Sequence, residues 1–391
     1  TPGSRTMLPC QKSGFSLPEG LHYLNCAYMG PLSARVEEAG IAGIRRRRDP
    51  TSITPADFFP EADAVRERFA RLVNAPDPRQ VALVPAVSYG LAVVARNTPL
   101  GHGQNVVVVG EQFPSNVYPW RRMAAGAGAE VRTVAAPEGA QGRGEGWNAR
   151  ILEAIDPRTA LVALGHVHWA DGTRFDLESI GARAREVGAA LVVDGTQSVG
   201  ALPFDVQRIR PDALVCASYK WLMGPYGAGT AWFGPRYLDG VPLEENWIAR
   251  EGSEDFAGLV RYREAYQPGA LRYDVGERSN PVLLPMLRAA LDQLLEWTPE
   301  AVQAYCRALT AGLVEEARAL GYAVEDERWR GAHLFGLRAP AGVELSRVQE
   351  ALARRRVAVS VRGSAVRVSP NVYNDAADVA ALRDALREAA A

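Results

Sequence analysis

Lysine is rare in this chain of 391 residues, and one of its few lysines stands where chemistry is expected. Lysine and arginine together number 44, but the only lysines are Lys12 and Lys220. Arginine keeps its proton at working pH, whereas a lysine in a suitable pocket can lose it and attack a carbonyl carbon. Lys12 falls in a polar N-terminal stretch that we expect to be mobile. Lys220 is therefore the candidate amine nucleophile, and the alternative is an ordinary surface lysine.

An aspartate precedes Lys220 in a pattern that suits one cofactor. Asp194 follows the apolar run Ala189–Val193, which predicts a buried strand, and open α/β sheets place their ligands at the carboxyl ends of such strands. A second apolar run, Ala213–Ala217, leads into Lys220. Pyridoxal 5′-phosphate (PLP) needs a lysine that holds its aldehyde as a Schiff base and a carboxylate that keeps its pyridine nitrogen protonated. The pattern therefore predicts a PLP site with Lys220 and Asp194 as catalytic residues.

The stretch 191–229 resembles the active-site signature of the class V aminotransferases, which include cysteine desulfurases, kynureninases and isopenicillin N epimerase-like enzymes. The similarity runs through Asp194, Gln197, Ser218 and Lys220 and continues in the glycine-rich turn Gly224–Gly229. The resemblance implies the fold of the type I PLP-dependent enzymes and a homodimer with active sites near the subunit interface. It also implies that Gln197 hydrogen-bonds the O3′ oxygen of the cofactor and that Ser218 is a cofactor contact.

Two further stretches supply predicted cofactor contacts. The strand Val81–Val84 and a turn of small residues lead into a helix, so the backbone amides near Val87 and the hydroxyl of Ser88 are predicted to form an anion site. In the family this turn holds the cofactor phosphate; the alternative for Ser88 is a simple helix N-cap. Phe113 lies near the place where desulfurases commonly carry a histidine that stacks on the pyridine ring. We expect Phe113 to supply a stacking face without an acid–base nitrogen, unless it is an ordinary core aromatic.

The same resemblance predicts five residues that contact the substrate. The stretch 21–31, LHYLNCAYMGP, is similar to a family segment that crosses the active-site mouth, which points to Asn25, Ala27 and Tyr28. Trp169 takes the place of a family asparagine and adds a large aromatic wall. Arg367 lies in an Arg-x-Ser motif whose arginine binds the substrate α-carboxylate, a role that suits the two parallel hydrogen bonds of a guanidinium.

No metal site is predicted. His166 and His168 alternate along an extended segment and should face opposite sides, so they are not expected to share a ligand. A reducing, cytoplasmic location is expected from four cysteines that are widely separated and lack metal-ligand spacing: Cys10, Cys26, Cys216 and Cys306. The net charge of −1 predicts no nucleic-acid partner, and no apolar run approaches the ~20 residues that span a bilayer, so no membrane partner is expected.

Helical and strand patterns alternate through most of the chain, which predicts an α/β fold with a mainly parallel sheet and flanking helices. We expect an N-terminal segment over 1–25, a large PLP-binding α/β domain over 26–275 and a small α+β C-terminal domain over 276–391. The polar and aromatic stretch 240–268 is predicted to be an active-site or dimer loop. One residue of 276–279 is expected to reach the phosphate in the partner subunit, as the resemblance implies.

These features predict an enzyme that performs carbanion chemistry on a small α-amino acid, with amino transfer preferred and C–S lysis or epimerisation as alternatives. A persulfide mechanism is disfavoured because Val361–Ser364, where desulfurases carry a mobile cysteine, contains none. A nucleotide-binding protein is disfavoured because neither Val106–Gly110 nor Gly224–Gly229 forms a Gly-x-Gly-x-x-Gly turn between a strand and a helix. The alternative outside enzymes is a catalytically silent PLP-binding protein.

Overall fold

The computed structural model describes residues 7–139 and 141–391. The strands of this part of the chain are β1 His22–Tyr23, β2 Val81–Val84, β3 Asn105–Val109, β4 Glu130–Val134, β5 Thr159–Gly165, β6 Ala190–Asp194, β7 Ala213–Ala217, β8 Gly229–Phe233, β9 Phe335–Arg338, β10 Val357–Ala358, β11 Ser360–Arg362 and β12 Ala365–Val368. Its α-helices are α1 Ala34–Arg46, α2 Pro60–Leu72, α3 Val87–Asn97, α4 Tyr118–Ala127, α5 Arg143–Ala154, α6 Leu177–Glu186, α7 Val206–Ile209, α8 Leu283–Trp297, α9 Pro299–Ala319, α10 Leu345–Arg354 and α11 Ala376–Ala390.

Seven strands form the central sheet in the order β2-β8-β7-β6-β5-β3-β4. Neighbouring strands from β7 to β4 are parallel, whereas β8 runs antiparallel to both β7 and β2. Asp194 pairs with Gly165 on one side and with Val215 on the other, which aligns the ends of β5 and β6 at one edge. The expected α/β fold with a mainly parallel sheet and flanking helices is confirmed.

Continuous apolar runs form these strands because both faces of the sheet are covered. Along β6, Leu191 and Val193 lie in one hydrophobic core, and Ala190 and Val192 lie in the other. This division follows from the alternation of side chains along an extended strand. Buried parallel strands need apolar residues on both faces, which is why the sequence predicts them well.

A smaller unit is built around the antiparallel sheet β11-β12-β9. Its core includes Leu24 from the N-terminal segment, residues from the second half of α9, and the apolar sides of α10 and α11. The short strand β1 also pairs with β10, so the N-terminal segment is attached to this unit. The predicted domain boundary at residue 276 remains a proposal. The packing of α8 and of the first half of α9 in the larger core favours a boundary further along the chain.

The expectation that Lys12 lies in a mobile stretch is wrong. The Lys12 ammonium lies 2.7 Å from a carboxylate oxygen of Asp375 and 3.4 Å from one of Asp378, at the start of α11. The amide of Gln11 also donates to the carbonyl of Val372 at 2.7 Å. Residues 1–6 lie outside the described part. Among the described helices, none combines the length and the apolar character needed to cross a bilayer.

Candidate active site

A cavity of about 280 Å³ opens where the parallel strands of the central sheet end. The last residues of four strands lie on its wall: Val109, Gly165, Asp194 and Ala217. Lys220 lies on the same wall, three residues beyond the end of β7. The sheet thus brings the two predicted catalytic residues to one cavity, at the edge where α/β sheets bind ligands.

The amine of Lys220 is buried between aromatic rings. Its Nζ atom lies 5.5 Å from the ring centre of Phe113 and 5.4 Å from that of Tyr219, and the residue is only 8% exposed. Burial lowers the pKa of Lys220 to about 8; Asp194 opposes this change, and Arg367 and Arg362 add to it. A larger fraction of neutral, nucleophilic amine is therefore present near neutral pH than for an ordinary lysine.

Asp194 borders the cavity with a carboxylate that is only partly compensated. Its Oδ1 atom accepts the amide hydrogen of Thr196 at 3.0 Å. Burial raises the pKa of Asp194 above its ordinary value, although the Thr196 hydrogen bonds and the positive charge of Lys220 oppose the rise. A cationic group placed in the cavity beside this carboxylate would remove that penalty.

The start of α3 presents free backbone amides to the cavity, where an anion site is predicted. Val87 and Ser88 are its first two residues, so their amides have no acceptor within the helix, and both residues line the cavity. Ala86 is the N-cap residue, and no side chain caps this helix end. The alternative that Ser88 is an N-cap is therefore wrong, since Ser88 lies inside the helix. The turn of small residues expected over 85–90 is shorter than predicted, because residues 87–90 already form the first turn of α3.

Two aromatic rings form one wall of the cavity. Phe113 is 38% exposed, so it is not an ordinary core aromatic, and its ring meets that of Trp169 edge to face at 5.5 Å. The indole N–H of Trp169 donates to the carbonyl of Glu111 at 2.8 Å, which fixes the wall. The predicted stacking face and aromatic wall therefore lie together.

Arg367 contacts the wall residue Trp169 but does not itself line the cavity, and no acidic side chain of the described residues pairs with its buried charge. Its side chain is about 1% exposed and donates to the carbonyl of Trp169 at 2.8 Å and, at 3.4 Å, to the hydroxyl of Ser360. Its Nε atom is buried without a hydrogen-bond partner among the described residues. Burial and the nearby Arg362 lower the pKa of Arg367 to about 10. Such a group is a strong candidate to bind an anion.

Gln197 lines the cavity, but the protein already holds its side-chain amide. The amide donates to the carbonyl of Ala27 at 3.1 Å and accepts the indole N–H of Trp221 at 2.8 Å. One N–H of Gln197 remains available to an oxygen in the cavity. Ala27 itself does not line the cavity, so its predicted substrate contact becomes a positioning contact made by its backbone.

The other predicted contacts lie away from the wall. The side-chain Oδ1 atom of Asn25 accepts the Ser360 hydroxyl at 3.0 Å, and Ser360 also contacts Arg367, which places Asn25 behind Arg367. Tyr28 is 57% exposed outside the cavity. The hydroxyl of Ser218 lies 2.6 Å from the carbonyl of Pro225 and 2.7 Å from that of Ala228. Ser218 therefore holds the glycine-rich turn, and its hydrogen is not free for a cofactor.

The two histidines face different cavities, but alternation is not the reason, because residues two apart on a regular strand share a face. Strand β5 ends at Gly165 and the chain bends at His166, which turns the two rings apart. His168 lines the cavity of Lys220, and its ring nitrogens contact the carbonyl of Gly110 at 3.1 Å and the amide of Ala170 at 3.3 Å. His166 lines a separate cavity on the other side, and burial lowers its pKa to about 3. Both ring nitrogens of His168 are engaged, so it is not a free acid or base.

The structure also bears on the missing desulfurase cysteine. Strands β11 and β12 are joined by only Gly363 and Ser364, a turn too short to be a mobile loop. Cys26, 0% exposed, lies close to the site with its sulfur 3.8 Å from the carbonyl of Lys220, and burial raises its pKa to about 12. Cys306 is equally buried, in α9. Neither thiol is suited to accept sulfur.

Thr196 and Tyr226 are among the cavity residues that sequence reasoning missed. Thr196 donates its amide to Asp194, and its hydroxyl oxygen accepts the amide of Ala217 at 3.1 Å, which ties β6 to β7. Its position two residues after a strand-ending aspartate was the available signal, because such aspartates bond the backbone two residues on. Tyr226, in the glycine-rich turn, stacks near Tyr219 with ring centres 4.6 Å apart. No local pattern marked it.

Comparison with known proteins extends along most of the chain. The family model described as aminotransferase class-V matches residues 56–382. An isopenicillin N epimerase from Streptomyces clavuligerus is 27% identical over 380 residues, which cover 93% of this chain and 93% of that protein.

Two solved structures show the same fold. A cysteine desulfurase from Escherichia coli superposes with a TM-score of 0.79 at 24% identity, covering 97% of each chain. A cystine C–S lyase in complex with cysteine persulfide superposes with a TM-score of 0.82 at 20% identity, covering 94% of this chain and 97% of that one. At these identities the likeness concerns the fold, not the reaction.

Proposed function

The chain belongs to the class V aminotransferase family, and on that premise we propose that it removes the α-proton of a small α-amino acid and transfers the amino group. The enzymes of this family depend on PLP, which confirms the cofactor expected from the sequence. When bound, PLP supplies an electron sink for the negative charge that develops at Cα. The reaction beyond proton removal is the part of this proposal that the family leaves open.

The cavity fits this cofactor on four independent features. Lys220 offers a buried amine with a lowered pKa, and Asp194 offers a carboxylate that lacks a full counter-ion. The start of α3 offers two free amides for a phosphate, and Phe113 exposes a ring face to the cavity. These groups match an aldehyde, a protonated ring nitrogen, a phosphate and an aromatic ring, in that order.

The side chains then have distinct tasks. Asp194 holds the proton on the ring nitrogen, and Gln197 can donate its free N–H to the ring oxygen. Arg367 binds the α-carboxylate of the amino acid with its unpaired donors. Lys220, once its amine is free, takes the α-proton and returns it. Phe113 and Trp169 keep water from the reacting carbon.

One observation carries the proposal: the guanidinium of Arg367 is buried without a carboxylate partner and lies close enough to Lys220 to lower its pKa. A protein keeps such a charge where an anionic ligand compensates it. An α-carboxylate bound there would bring the α-carbon of the same molecule towards the amine.

Epimerisation is the second candidate. The similarity to an isopenicillin N epimerase over 93% of this chain favours it. In an epimerisation the proton returns to the opposite face of Cα, and the amino group stays on the substrate. C–S lysis by a persulfide mechanism is disfavoured by the short turn between β11 and β12.

The test is exchange at Cα in deuterium oxide. The PLP-loaded protein is incubated with single amino acids, and deuterium at Cα is read by proton NMR, with a 2-oxo acid present or absent. Amino transfer predicts exchange together with a new 2-oxo acid; epimerisation predicts exchange with inversion and no 2-oxo acid. The absence of Lys220-dependent exchange with any amino acid would refute the proposal.

A homodimer and a cytoplasmic location also remain proposals. The homodimer is worth testing because two large side chains of the 240–268 stretch face solvent: Val260 is 78% exposed and Tyr262 is 92% exposed. Such large apolar groups are often covered by a partner. Sedimentation of the loaded protein measures its mass directly, and the Tyr262→Glu variant should shift it to that of a single chain.

A further inference from the structure

The hairpin of β11 and β12 presents two arginines on one face. Arg367 on β12 pairs directly with Ser360 on β11, and Arg362 pairs with Ala365. Directly paired residues and residues two apart on one strand share a face, so Arg362 and Arg367 point to the same side. They are diagonal neighbours, whose Cα atoms are ~7–8 Å apart in an antiparallel pair. The small side chain of Ala365 leaves room for that of Arg362.

Arg362 lies over the aromatic wall of the cavity. Its guanidinium is 5.6 Å from the ring centre of Trp169, and its Nη1 atom donates to the carbonyl of the adjacent Val361 at 2.9 Å. In the described part of the chain no carboxylate forms an ion pair with it, although most arginines of the chain that contact a side chain do so with an acid. Its remaining donors are available to a ligand.

Two guanidinia contact the wall residue Trp169, Arg367 at its carbonyl and Arg362 over its ring, although neither arginine itself lines the cavity. Arg362 and Arg367 both lower the pKa of Lys220, and Arg362 lowers that of Arg367. One α-carboxylate would compensate Arg367 alone. The second guanidinium, which stands nearer the turn and is partly exposed, still lacks an anion.

We propose that Arg362 binds a second acidic group of the substrate, so that the amino acid is a dicarboxylic one of the size of aspartate or glutamate. This proposal rests on the proposed function of the same cavity. Arg367, deep in the fold, holds the α-carboxylate, and Arg362, two residues closer to the turn on the neighbouring strand, holds the distal carboxylate. Trp169 supports both: its carbonyl holds Arg367, and its ring holds Arg362.

The short hairpin fixes the position of Arg362. A two-residue turn fixes the strand ends, so the guanidinium is held over Trp169 by two strands rather than by a mobile segment. Selective binding of a substrate's distal carboxylate requires a hydrogen-bond donor that is held in one position. The alternative to ligand binding is a structural role, in which Arg362 only shields the indole ring of Trp169 from water.

The test uses unreactive acids that lack the amino group. Binding of glutarate and of butyrate to the PLP-loaded protein is measured by titration calorimetry, for the unchanged protein, for Arg362→Gln and for the control Arg347→Gln. Arg347 is an exposed arginine of α10, without an ion pair in the described residues. We expect glutarate to bind the unchanged protein more tightly than butyrate, and Arg362→Gln to weaken glutarate about 10-fold or more while butyrate changes less than about 2-fold. The control should change neither.

Equal affinity for the two acids in the unchanged protein, or an equal loss for both in Arg362→Gln, would overturn the proposal. The Arg362→Lys variant keeps the charge and should recover part of the glutarate affinity, whereas a shielding role predicts no recovery. Comparing Cα exchange of alanine with that of aspartate and glutamate separates the two proposals. If alanine exchanges as well as the dicarboxylic amino acids, the role of Arg362 is refuted and the proposed function is not. The absence of exchange with all amino acids refutes the proposed function instead.

Discussion

The reactivity of Lys220 is set by its surroundings. Burial between Phe113 and Tyr219 removes water from the ammonium, and two nearby guanidinia repel it. Asp194 opposes both effects but does not cancel them. Lys12, by contrast, is paired with two carboxylates, which raises its pKa. Of the two lysines, Lys220 thus has a lowered pKa and Lys12 a raised one, which helps chemical tests to distinguish them.

Cofactor uptake should follow the protonation of Lys220. Because a neutral amine attacks the aldehyde, the rate of uptake should rise with pH and level off above about 8, well below the ordinary lysine value of 10.5. Mixing cofactor-free protein with PLP at a series of pH values, and following the visible absorbance, measures this profile. A rate that keeps rising to pH 10 would show that the amine is not desolvated.

Replacement of Arg367 should separate binding from stability. Since the guanidinium has no acidic partner, Arg367→Gln removes a buried charge without breaking an ion pair, and we expect the free energy of unfolding to change by less than about 1.5 kcal/mol. Binding of α-amino acids should weaken at least about 30-fold, because a charge-assisted pair is lost. Urea titration and amino-acid binding measure the two quantities. A large loss of stability with unchanged binding would contradict the assignment.

For individual residues, the sequence predicted which side chains could take part in the chemistry but not the hydrogen-bond partners of those side chains. Lys220, Asp194 and Arg367 are marked by residue type and motif, and they lie around one site. The direction of the Ser218 hydroxyl depends on the carbonyls of Pro225 and Ala228, which only the folded turn brings near. Local spacing carries no information on such contacts.

Among the elements, buried strands were predicted best. The apolar runs of β2 and β7 match the structure residue for residue, because both faces of these strands are covered. The edge strand β4 was not predicted, since four of its five residues keep solvent exposure and no apolar run marks it. The reversed direction of β8 was not predicted either, because direction depends on connections rather than on local pattern.

A glycine couples the N-terminal segment to the lysine-bearing turn. The amide of Gly30 donates to the carbonyl of Tyr219 at 2.8 Å, and a Cβ at Gly30 would overlap the carbonyl of Lys220. Gly30→Ala should therefore displace Lys220, lower stability by about 1–3 kcal/mol and reduce bound PLP. Gly126→Ala, in an open part of α4, is the matched control and should leave both unchanged or improved. Normal PLP content in Gly30→Ala would contradict the coupling.

Over the whole molecule, Asp171 joins the two units beside the site. Its carboxylate lies 3.1 Å from the guanidinium of Arg143 in α5 and 2.7 Å from that of Arg338 in β9, and it is 8% exposed. Burial alone would raise its pKa, but the nearby His168, the hydrogen bonds from Thr173 and the nearby Arg143 together outweigh burial and lower it. The segment that carries Trp169 is thereby fixed between the large and the small unit.

The ion pairs of Asp171 should show in the pH dependence of stability. A lowered folded-state pKa means that the carboxylate stabilises the fold above its unfolded pKa and that this contribution is lost as the pH falls through the folded value. Asp171→Asn should therefore cost about 2 kcal/mol at pH 7, and the difference should shrink below pH about 4. Asp239→Asn, at a fully exposed site, should cost nothing. A difference that is independent of pH would contradict this role.

The most direct test of the account asks which lysine carries the cofactor. Borohydride reduction of the PLP-loaded protein, followed by peptide mass spectrometry, locates the added mass, and the presence of only two lysines makes the result unambiguous. We expect the label on the peptide that contains Lys220 and its loss in Lys220→Ala. A label on Lys12, or an unlabelled Lys220 in fully loaded protein, would contradict it.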